Sequence, residues 1–580
     1  MSFVHDGRPA KRHKVERKPT QEGSNEDVLL ADVRELLIAR QSSHATAKND
    51  DALLEARSAT KPSPPPQRFT EVQVKISALS STGDGLGTSS ASEHVYVVPF
   101  TVPGDTVTAK VVTHFPKHSY TLADFVRVVE PSPQRDDSRI KCPYFATCSG
   151  CQFQMLSYED QLAHKKTIIE KAYRNFSGLT PDILPRVGDT IGSPLQYGYR
   201  TKLTPHFDGP PGSRSRKDRR DGVQRKGFVE VPPIGFMVKG MRRTLDIEDC
   251  PIGTDAVRMG MRRERQRVAE ELEKYKRGAT LLLRENTRRI PKDSSNEPLV
   301  PPDPNEGTNS QRDESSTSTK HLARTPEVSD QPGVISKDHG LYTEEKTCIT
   351  DPNATTTEYI DTYQFSNPAG AFFQNNNSIL PTFTAYIRAH ILPPPSNPTT
   401  ANAAANPTAD ATTPTTPDAK PIKYLIDAYS GSGLFTITLS SLFTASTGVD
   451  IAETSIASAR HNARANGIPN ATFLAADAAA LFAEITYPPD ETVVVVDPPR
   501  KGCDDGFLRQ LLAFGPRRVV YVSCNVHTQA RDVGVLVAGS GSGGKGGSGE
   551  VRYAVESLRG FDFFPQTGHV EGVAVLDRRG

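Results

Sequence analysis

The stretch LIDAYSGSGLF, residues 425–435, runs from an apolar segment that ends in an acid directly into two closely spaced glycines. Gly431 and Gly433 would permit a tight turn and a close approach of the backbone to a ligand at the C-terminal end of a strand. A second apolar segment ends at Asp450, whose carboxylate could accept hydrogen bonds from both hydroxyls of a ribose. A third acid, Asp477 in LAADA, is placed to meet an adenine amino group. This order predicts a nucleotide-type ligand at the edge of a sheet.

The segments around this stretch alternate between strand and helix patterns. Apolar runs such as ASTGVDI, TVVVVDPP and RRVVYVSC are separated by amphipathic stretches such as AETSIASARHNARANG. This alternation is typical of an α/β domain with a doubly wound, Rossmann-like parallel sheet. A dinucleotide-binding fold is an alternative, although Thr436 stands where the third glycine of its motif would be. VVVVDPPRKG (493–502) then brings another acid, Asp497, to the same predicted edge.

The rest of the chain divides into folded and low-complexity parts. Its 580 residues include 46 Pro and 43 Gly, and 36% are hydrophobic, which predicts several domains interrupted by unpacked segments. Short alternating segments indicate a small antiparallel, OB-like barrel, and the order GDGLG, valine strand, VPGDTV resembles the TRAM domain, an RNA-binding barrel. We expect a disordered basic arm with one helical candidate at 1–67, this barrel at 68–131, a β-rich RNA-binding domain with grouped cysteines at 132–287, a disordered insertion at 288–355, and the α/β domain at 356–580 with low-complexity insertions at 394–420 and 538–550.

Charge and hydropathy restrict the class of protein. The net charge is only +1, but the basic segments KRHKVERK (11–18) and RSRKDRRDGVQRK (214–226) could be either phosphate-attracting surfaces or ordinary solvated segments. No apolar run approaches the ~20 residues of a membrane span, and the N-terminus lacks the apolar core of a secretory signal. We therefore expect an intracellular protein of the nucleus, the cytoplasm or both, with no membrane association. No motif indicates an obligate protein partner.

Four cysteines are candidates for metal ligands. CPYFATCSGCQFQ contains Cys142, Cys148 and Cys151, and Cys250 follows in DIEDCPIG. In an intracellular protein, grouped thiols are better interpreted as metal ligands than as disulfides. Four thiolates can hold an iron–sulfur cluster or Zn²⁺, and the spacing alone leaves both open.

Another cysteine, Cys524, stands alone where the apolar run RRVVYVSC meets polar residues. Its predicted position at the C-terminal end of a strand puts it on the same edge as the glycine loop. A helix that begins immediately afterwards would favour the thiolate form of this side chain. Taken by itself, the residue would be interpreted as a buried core cysteine, and only its surroundings favour a catalytic role.

Five motifs in order, FSNPAGAFFQNNN, DAYSGSG, VDPPRKG, VSCN and GHVEGVAVL, resemble the RNA 5-methyluridine methyltransferase family. The resemblance implies a class I methyltransferase domain that binds S-adenosyl-L-methionine. It implies that Cys524 is the nucleophile and that Glu571 is the base that removes a proton. It also implies a 4Fe–4S cluster on the four grouped cysteines, with zinc as the alternative. Further cofactor or substrate-pocket contacts are implied for Gln374, Tyr429, Gly431, Gly433, Asp450, Asp477 and Asp497.

The chemistry of uracil explains these residue types. Addition of a thiolate at C6 produces an enolate whose C5 can attack a sulfonium methyl group, after which a base must remove the C5 proton. The nucleotide must turn out of its stack to be reached. We expect tRNA as the substrate, with the T-loop uridine as the target, because the insertions and basic arm are typical of eukaryotic relatives. Ribosomal RNA is the alternative. A non-catalytic RNA-binding or RNA-folding protein is a third possibility, against which the intact Cys524, Glu571 and Asp497 argue.

Overall fold

The computed structural model contains a barrel, a β-rich central part and a seven-stranded sheet. No helix in the described part of the chain is long and apolar enough to cross a membrane. Both basic segments singled out above, and nearly all of the expected insertions at 394–420 and 538–550, lie outside the described residues. The described residues are 21–46, 65–90, 92–210, 227–292, 333–394, 420–476, 482, 485–539 and 553–579.

The expected small barrel is present and closed. Val72, Val74 and Ile76 alternate with exposed polar residues along its first strand, so one face of that strand lies in the barrel interior. The strand order is β1-β2-β3-β5-β4, and only the β3–β5 pair is parallel. The strands are β1 (Glu71–Leu79), β2 (Gly85–Ser89), β3 (Ser92–Val98), β4 (Thr106–Phe115) and β5 (Tyr120–Glu130).

A helix, α1 (Asn25–Thr46), precedes the barrel and confirms the helical candidate expected within the arm at 1–67. Apolar residues at positions 29, 33, 36 and 37 recur at helical spacing. Leu30 and Val33 are buried in one cluster with Leu86 and Val97 of the barrel. The arm is therefore folded where its apolar residues pack against the barrel. Residues 1–20 and 47–64 are outside the described part.

The central part consists of two four-stranded sheets with orders β10-β7-β8-β9 and β12-β13-β11-β6. Strands at both ends of the expected insertion at 288–355 show that the prediction of disorder was wrong there; residues 293–332 are not described. The charges that suggested disorder form cross-strand pairs instead, for example Arg289 with Glu344 at 3.6 Å. The elements are α2 (Tyr158–Phe176), β6 (Lys202–Leu203), β7 (His206–Phe207), β8 (Gly235–Met237), β9 (Thr244–Asp246), α3 (Asp255–Glu270), β10 (Ala279–Thr280), β11 (Leu283–Pro291), β12 (Ile335–Asp338) and β13 (Tyr342–Ile349).

The expected doubly wound α/β domain is present. Its sheet has the order β18-β17-β16-β19-β20-β22-β21, and β22 is antiparallel to both of its neighbours. Apolar clusters cover both faces of the sheet, which explains the nearly continuous valines of its central strands. The elements are β14 (Thr355–Ile360), β15 (Tyr363–Pro368), α4 (Leu380–His390), β16 (Tyr424–Ala428), α5 (Leu434–Thr438), β17 (Ala445–Asp450), α6 (Glu453–Ala465), β18 (Ala471–Ala475), β19 (Thr492–Val496), α7 (Asp505–Phe514), β20 (Arg518–Ser523), α8 (Val526–Ala538), β21 (Tyr553–Phe561) and β22 (Glu571–Arg578).

Candidate active site

Strand register brings the predicted nucleophile and base together. Ser523, the last residue of β20, pairs with Gly572 of the antiparallel strand β22. Cys524 follows Ser523 and Glu571 precedes Gly572, so the two residues lie next to each other at the end of this strand pair. Asp497 follows the parallel neighbour β19 at the same edge. The thiol of Cys524 interacts electrostatically with both carboxyl groups.

Burial and charge control the protonation of this group. Burial raises the pKa of Cys524 to about 12, and the charges of Glu571 and Asp497 add to the increase. Burial likewise raises the pKa of Glu571 well above its ordinary value, and that of Asp497 to about 7. The expectation that the following helix would favour the thiolate does not hold, because burial and two acids outweigh the helix N-terminus. The free thiol is therefore protonated at neutral pH.

Arg500 is a site residue that the sequence analysis did not single out. Its guanidinium group forms a hydrogen bond with the Cys524 side chain and lowers the pKa of that thiol. The same cation opposes the burial that raises the pKa of Glu571, and it adds to the burial that lowers the pKa of His569, which lines a cavity together with Arg500. The signal was present in the motif DPPRKG, where a cation directly follows two prolines at the strand end. Arg500 thus supplies positive charge where two acids converge.

The glycine loop between β16 and α5 is held in a fixed conformation. Gly431 and Gly433 have positive φ angles of 53° and 90°, which favour glycine. The backbone N–H of Gly431 donates to Oδ2 of Asp450 at 3.0 Å. Thr436, at the position of the missing third glycine, donates from both its N–H and its hydroxyl to the buried Asp427 at 2.9 and 2.7 Å. The loop therefore presents backbone and carboxylate groups at the strand edge.

Several features of this loop fit a bound nucleoside. Among the described residues, Oδ1 of Asp427 and Oγ of Ser430 are buried without a hydrogen-bond partner. A Cβ placed on Gly431 would meet no described atom within 4 Å, so there is open space beside the backbone. Buried polar atoms without partners are costly unless a ligand or water satisfies them. The donor set thus fits the polar adenosine part of the predicted cofactor.

The other predicted cofactor residues occupy different surroundings. Tyr429 packs its ring against Phe507 with centroids 5.4 Å apart, and burial, followed by the neighbouring Cys503, raises the pKa of its hydroxyl. Gln374 lies in the segment between β15 and α4, and its side chain is buried. Asp477 lies outside the described residues. The structure thus brings Gly431, Gly433 and Asp450 together, because the glycine loop is hydrogen-bonded to the last residue of β17.

The four grouped cysteines line one cavity of about 240 Å³. Burial raises the pKa of Cys151 and that of Cys250 to about 12, and the two thiols interact with each other and with Cys142 and Cys148. In the described part of the chain, no three His, Cys, Asp or Glu side chains converge closely enough to hold a metal ion. The cysteines therefore surround a common space without the tight arrangement of a single-ion site.

A larger cavity of about 1220 Å³ opens above Cys524. Its walls come from the catalytic sheet (Arg500, His569), the barrel (Phe115) and the segment that precedes α1. We call it the catalytic cavity. It is large enough for a nucleotide, and it joins the barrel to the nucleophile.

The sheet order and the glycine loop define the class: the catalytic domain has the fold of S-adenosylmethionine-dependent methyltransferases. Residues 415–579 match the family model described as tRNA (Uracil-5-)-methyltransferase. A solved structure of the Pyrococcus abyssi tRNA (uracil-54, C5)-methyltransferase in complex with S-adenosyl-L-homocysteine has a similar fold. It has a TM-score of 0.51 and 21% identity over 87% of this chain and 100% of that one.

Two curated fungal relatives extend the match to nearly the whole chain. The chain is 40% identical to the tRNA (uracil(54)-C(5))-methyltransferase of Schizosaccharomyces pombe, over 97% of its own length and 85% of the relative. It is 37% identical to the protein of the same name from Saccharomyces cerevisiae, over 98% of its own length and 83% of the relative. The chain belongs to the tRNA (uracil-5-)-methyltransferase family, which confirms the resemblance drawn from its motifs.

Proposed function

We propose that this enzyme methylates C5 of a tRNA uridine, at position 54 of the T loop, through a covalent bond between Cys524 and C6 of the base. The observation that carries the proposal is the register of β20 and β22, which places a thiol and a buried carboxyl group side by side at the end of the sheet that also holds the glycine loop. The names of both fungal relatives, which specify uracil 54 of tRNA, support the substrate.

The cofactor supported by the fold is S-adenosyl-L-methionine, which supplies an electrophilic methyl group. Gly431, Gly433 and Asp450 would hold its adenosine part, and Gln374, Tyr429, Asp477 and Asp497 are proposed as further contacts. The archaeal neighbour was solved with the corresponding homocysteine product, which supports this choice. Nucleophile and methyl donor would then meet along the same sheet edge.

The side chains account for each proton in the reaction. The thiol of Cys524 must lose its proton before it attacks C6, and the nearby carboxylate of Asp497 can accept it, which leaves Glu571 available for the later step. After C5 is methylated, Glu571 removes the C5 proton, the C6–S bond breaks, and the double bond of the uracil is restored. Burial favours proton uptake by Glu571 because it destabilises the charged carboxylate.

A transcript assay tests the proposal. We expect a tRNA transcript to acquire one 5-methyluridine, detected by mass spectrometry of its nucleosides, and a transcript with cytidine at position 54 to acquire none. Both transcripts share every other contact, so the comparison isolates the target base. Equal or faster methylation of a ribosomal RNA transcript would contradict tRNA as the substrate and favour the alternative.

The pKa of Cys524 predicts the pH dependence of covalent attack. Because this pKa is raised to about 12, the thiolate fraction is small at neutral pH and grows as the pH increases. Asp497, which would accept the thiol proton, has a pKa raised by burial to about 7, so it also becomes charged as the pH increases, and the rate of adduct formation with 5-fluorouridine-containing tRNA should rise through neutral pH. A rate that does not change between about pH 6 and pH 8 would show that the thiolate is already formed in the free enzyme.

We also propose that Cys142, Cys148, Cys151 and Cys250 hold a 4Fe–4S cluster. Their common cavity, and the absence of a tight single-ion arrangement in the described residues, favour a cluster over zinc, because a cluster needs its thiols further apart. The cluster would tie the loop around Cys148 to the start of α3, next to the β-rich sheets.

Metal analysis tests the cluster. Anaerobically purified protein should be brown and contain about four irons per chain, as four thiolate ligands imply. Cys250→Ser should lose the iron, whereas Cys348→Ser, which changes a buried cysteine of β13 outside the cavity, should keep it. Colourless protein with one zinc would support the alternative metal.

A further inference from the structure

One wall of the catalytic cavity comes from outside the catalytic domain. Residues 21–29, here called the N-terminal segment, comprise the turn before α1 and its first residues, and nearly all of them line the cavity together with Cys524, Arg500 and His569. The segment is about 500 residues away from Cys524 along the chain. A segment so distant in sequence lines this cavity only because other contacts hold it there.

Helix α1 anchors the segment on two other parts of the protein. Leu30 and Val33 are buried in a cluster with barrel residues. The buried Asp32 accepts a hydrogen bond from the backbone N–H of Ser81 at 2.6 Å and pairs with Lys171 of α2 at 3.2 Å. These contacts fix the helix relative to both the barrel and α2. They leave the preceding turn directed at the catalytic loops.

The turn is hydrogen-bonded to the residue next to the nucleophile. The amide Nδ2 of Asn525 donates to the carbonyl oxygen of Gly23 at 3.1 Å and to that of Arg500 at 2.9 Å. Oδ1 of Asn525 accepts from the N–H of His527 at 3.2 Å and so caps α8. A second contact, between Glu22 and Arg531 at 3.8 Å, reinforces the first. One side chain thus joins the N-terminal segment, the loop of Arg500 and the start of α8.

We propose that the N-terminal segment is a positioning element of the active site, in which Gly23 holds Asn525 and thereby fixes Cys524 and Arg500 for attack on the uridine. The inference rests on the proposed function and adds to it a part of the chain that none of the five catalytic motifs includes. Covalent attack depends on placement, and a displacement of ~1 Å can cost about 100-fold in rate. Gly23 therefore acts through Asn525 and does not itself touch the base.

The geometry at Gly23 offers a specific substitution. Gly23 has φ +68°, and a Cβ added there would lie 2.6 Å from Cγ2 of Thr528, while the next described atom is 3.5 Å away. Gly23→Ala should therefore push the turn away from α8. Thr528→Ser removes the clashing methyl group and retains the hydroxyl that donates to Arg500 and Asn525. Gly178→Ala is a matched control, since Gly178 has φ +67° and no described atom within 4 Å of the added Cβ.

The readout is the rate of covalent adduct formation with 5-fluorouridine-containing tRNA at saturating RNA. We expect Gly23→Ala to reduce this rate about tenfold to 100-fold relative to Gly178→Ala. The affinity for S-adenosylmethionine and the melting temperature should match those of the control. The double variant Gly23→Ala/Thr528→Ser should recover most of the rate, which a general loss of stability would not explain.

Four results would overturn the proposal. A rate within twofold of the Gly178→Ala control would show that the segment does not position the nucleophile. A loss confined to KM, or a double variant without recovery, would show that Gly23 acts through RNA binding or stability instead. If the wild-type enzyme forms no adduct at all, the proposed function fails, and the positioning role fails with it. An adduct with wild type and an undiminished rate in Gly23→Ala contradicts the positioning role alone.

Discussion

Replacement of Cys524 by alanine is expected to abolish methyl transfer to tRNA while leaving the binding of S-adenosylmethionine nearly intact. The thiol would form the bond that activates uracil C5, and no other described thiol lines the catalytic cavity. Loss of a covalent nucleophile typically costs several orders of magnitude, so we expect a decrease of more than about 10³-fold in kcat. Radiolabelled methyl transfer and calorimetric titration with the cofactor measure the two quantities separately.

Another buried cysteine provides the control. Cys348→Ala changes a thiol of β13, far from the catalytic edge, and should retain the wild-type rate. Incubation with 5-fluorouridine-containing tRNA should give a denaturation-resistant complex with wild type and with Cys348→Ala, but none with Cys524→Ala. If Cys524→Ala still methylates tRNA at a tenth of the wild-type rate or faster, the assignment of the nucleophile is wrong.

Glu571→Gln is expected to separate the two halves of the reaction. Glutamine is nearly isosteric with glutamate but cannot take the C5 proton. Addition of Cys524 and methylation of C5 should therefore proceed while elimination stalls. Glu571 is only 2% exposed, so water cannot readily replace it as the base. We expect a methylated protein–RNA complex that accumulates to about one per enzyme and is visible on a denaturing gel.

The matched control is Glu453→Gln on the exposed surface of α6, where the pair with Arg460 contributes little. This variant should turn over normally and accumulate no complex. Normal multiple turnover by Glu571→Gln, without a trapped complex, would show that Glu571 is not the base. Asp497, which interacts with the same thiol, is then the first residue to test in its place.

The sequence predicted the sheet because local patterns determine it. Apolar runs that end in an acid, a glycine pair or a cysteine mark strand ends, and strand ends of one parallel sheet meet at one edge. Cys524, Asp497 and the glycine loop could therefore be assigned to a common site. Glu571 could be assigned to the site only through the family resemblance. It begins an antiparallel strand, so the rule that the ends of parallel strands meet at one edge does not apply to it.

The features that the sequence did not predict depend on contacts between segments that are distant along the chain. The pKa of Cys524 depends on the burial of the thiol itself and on the charges of two acids from other strands. The charged strand β13 looked disordered because several of its charges have their partners on the distant strand β11, such as Glu344 with Arg289. The docking of α1 depends on the surface of the barrel, and the sequence of residues 25–46 alone does not show which surface the helix contacts. Each of these features becomes visible only when the tertiary fold is known.

The position of β22 between β20 and β21 has a consequence for synthesis on the ribosome. Strand β21 emerges first, but it has no neighbour in the sheet until β22 follows and pairs with both strands. While β22 is still inside the ribosome, β20 and β21 each have an unpaired edge where β22 will later bind. Unpaired strand edges of this kind promote aggregation. The same strand delivers Glu571, so the chain closes its sheet and acquires its proposed base in one folding event. Premature termination before β22 would leave a protein with the thiol but without the carboxyl group needed to release it from RNA.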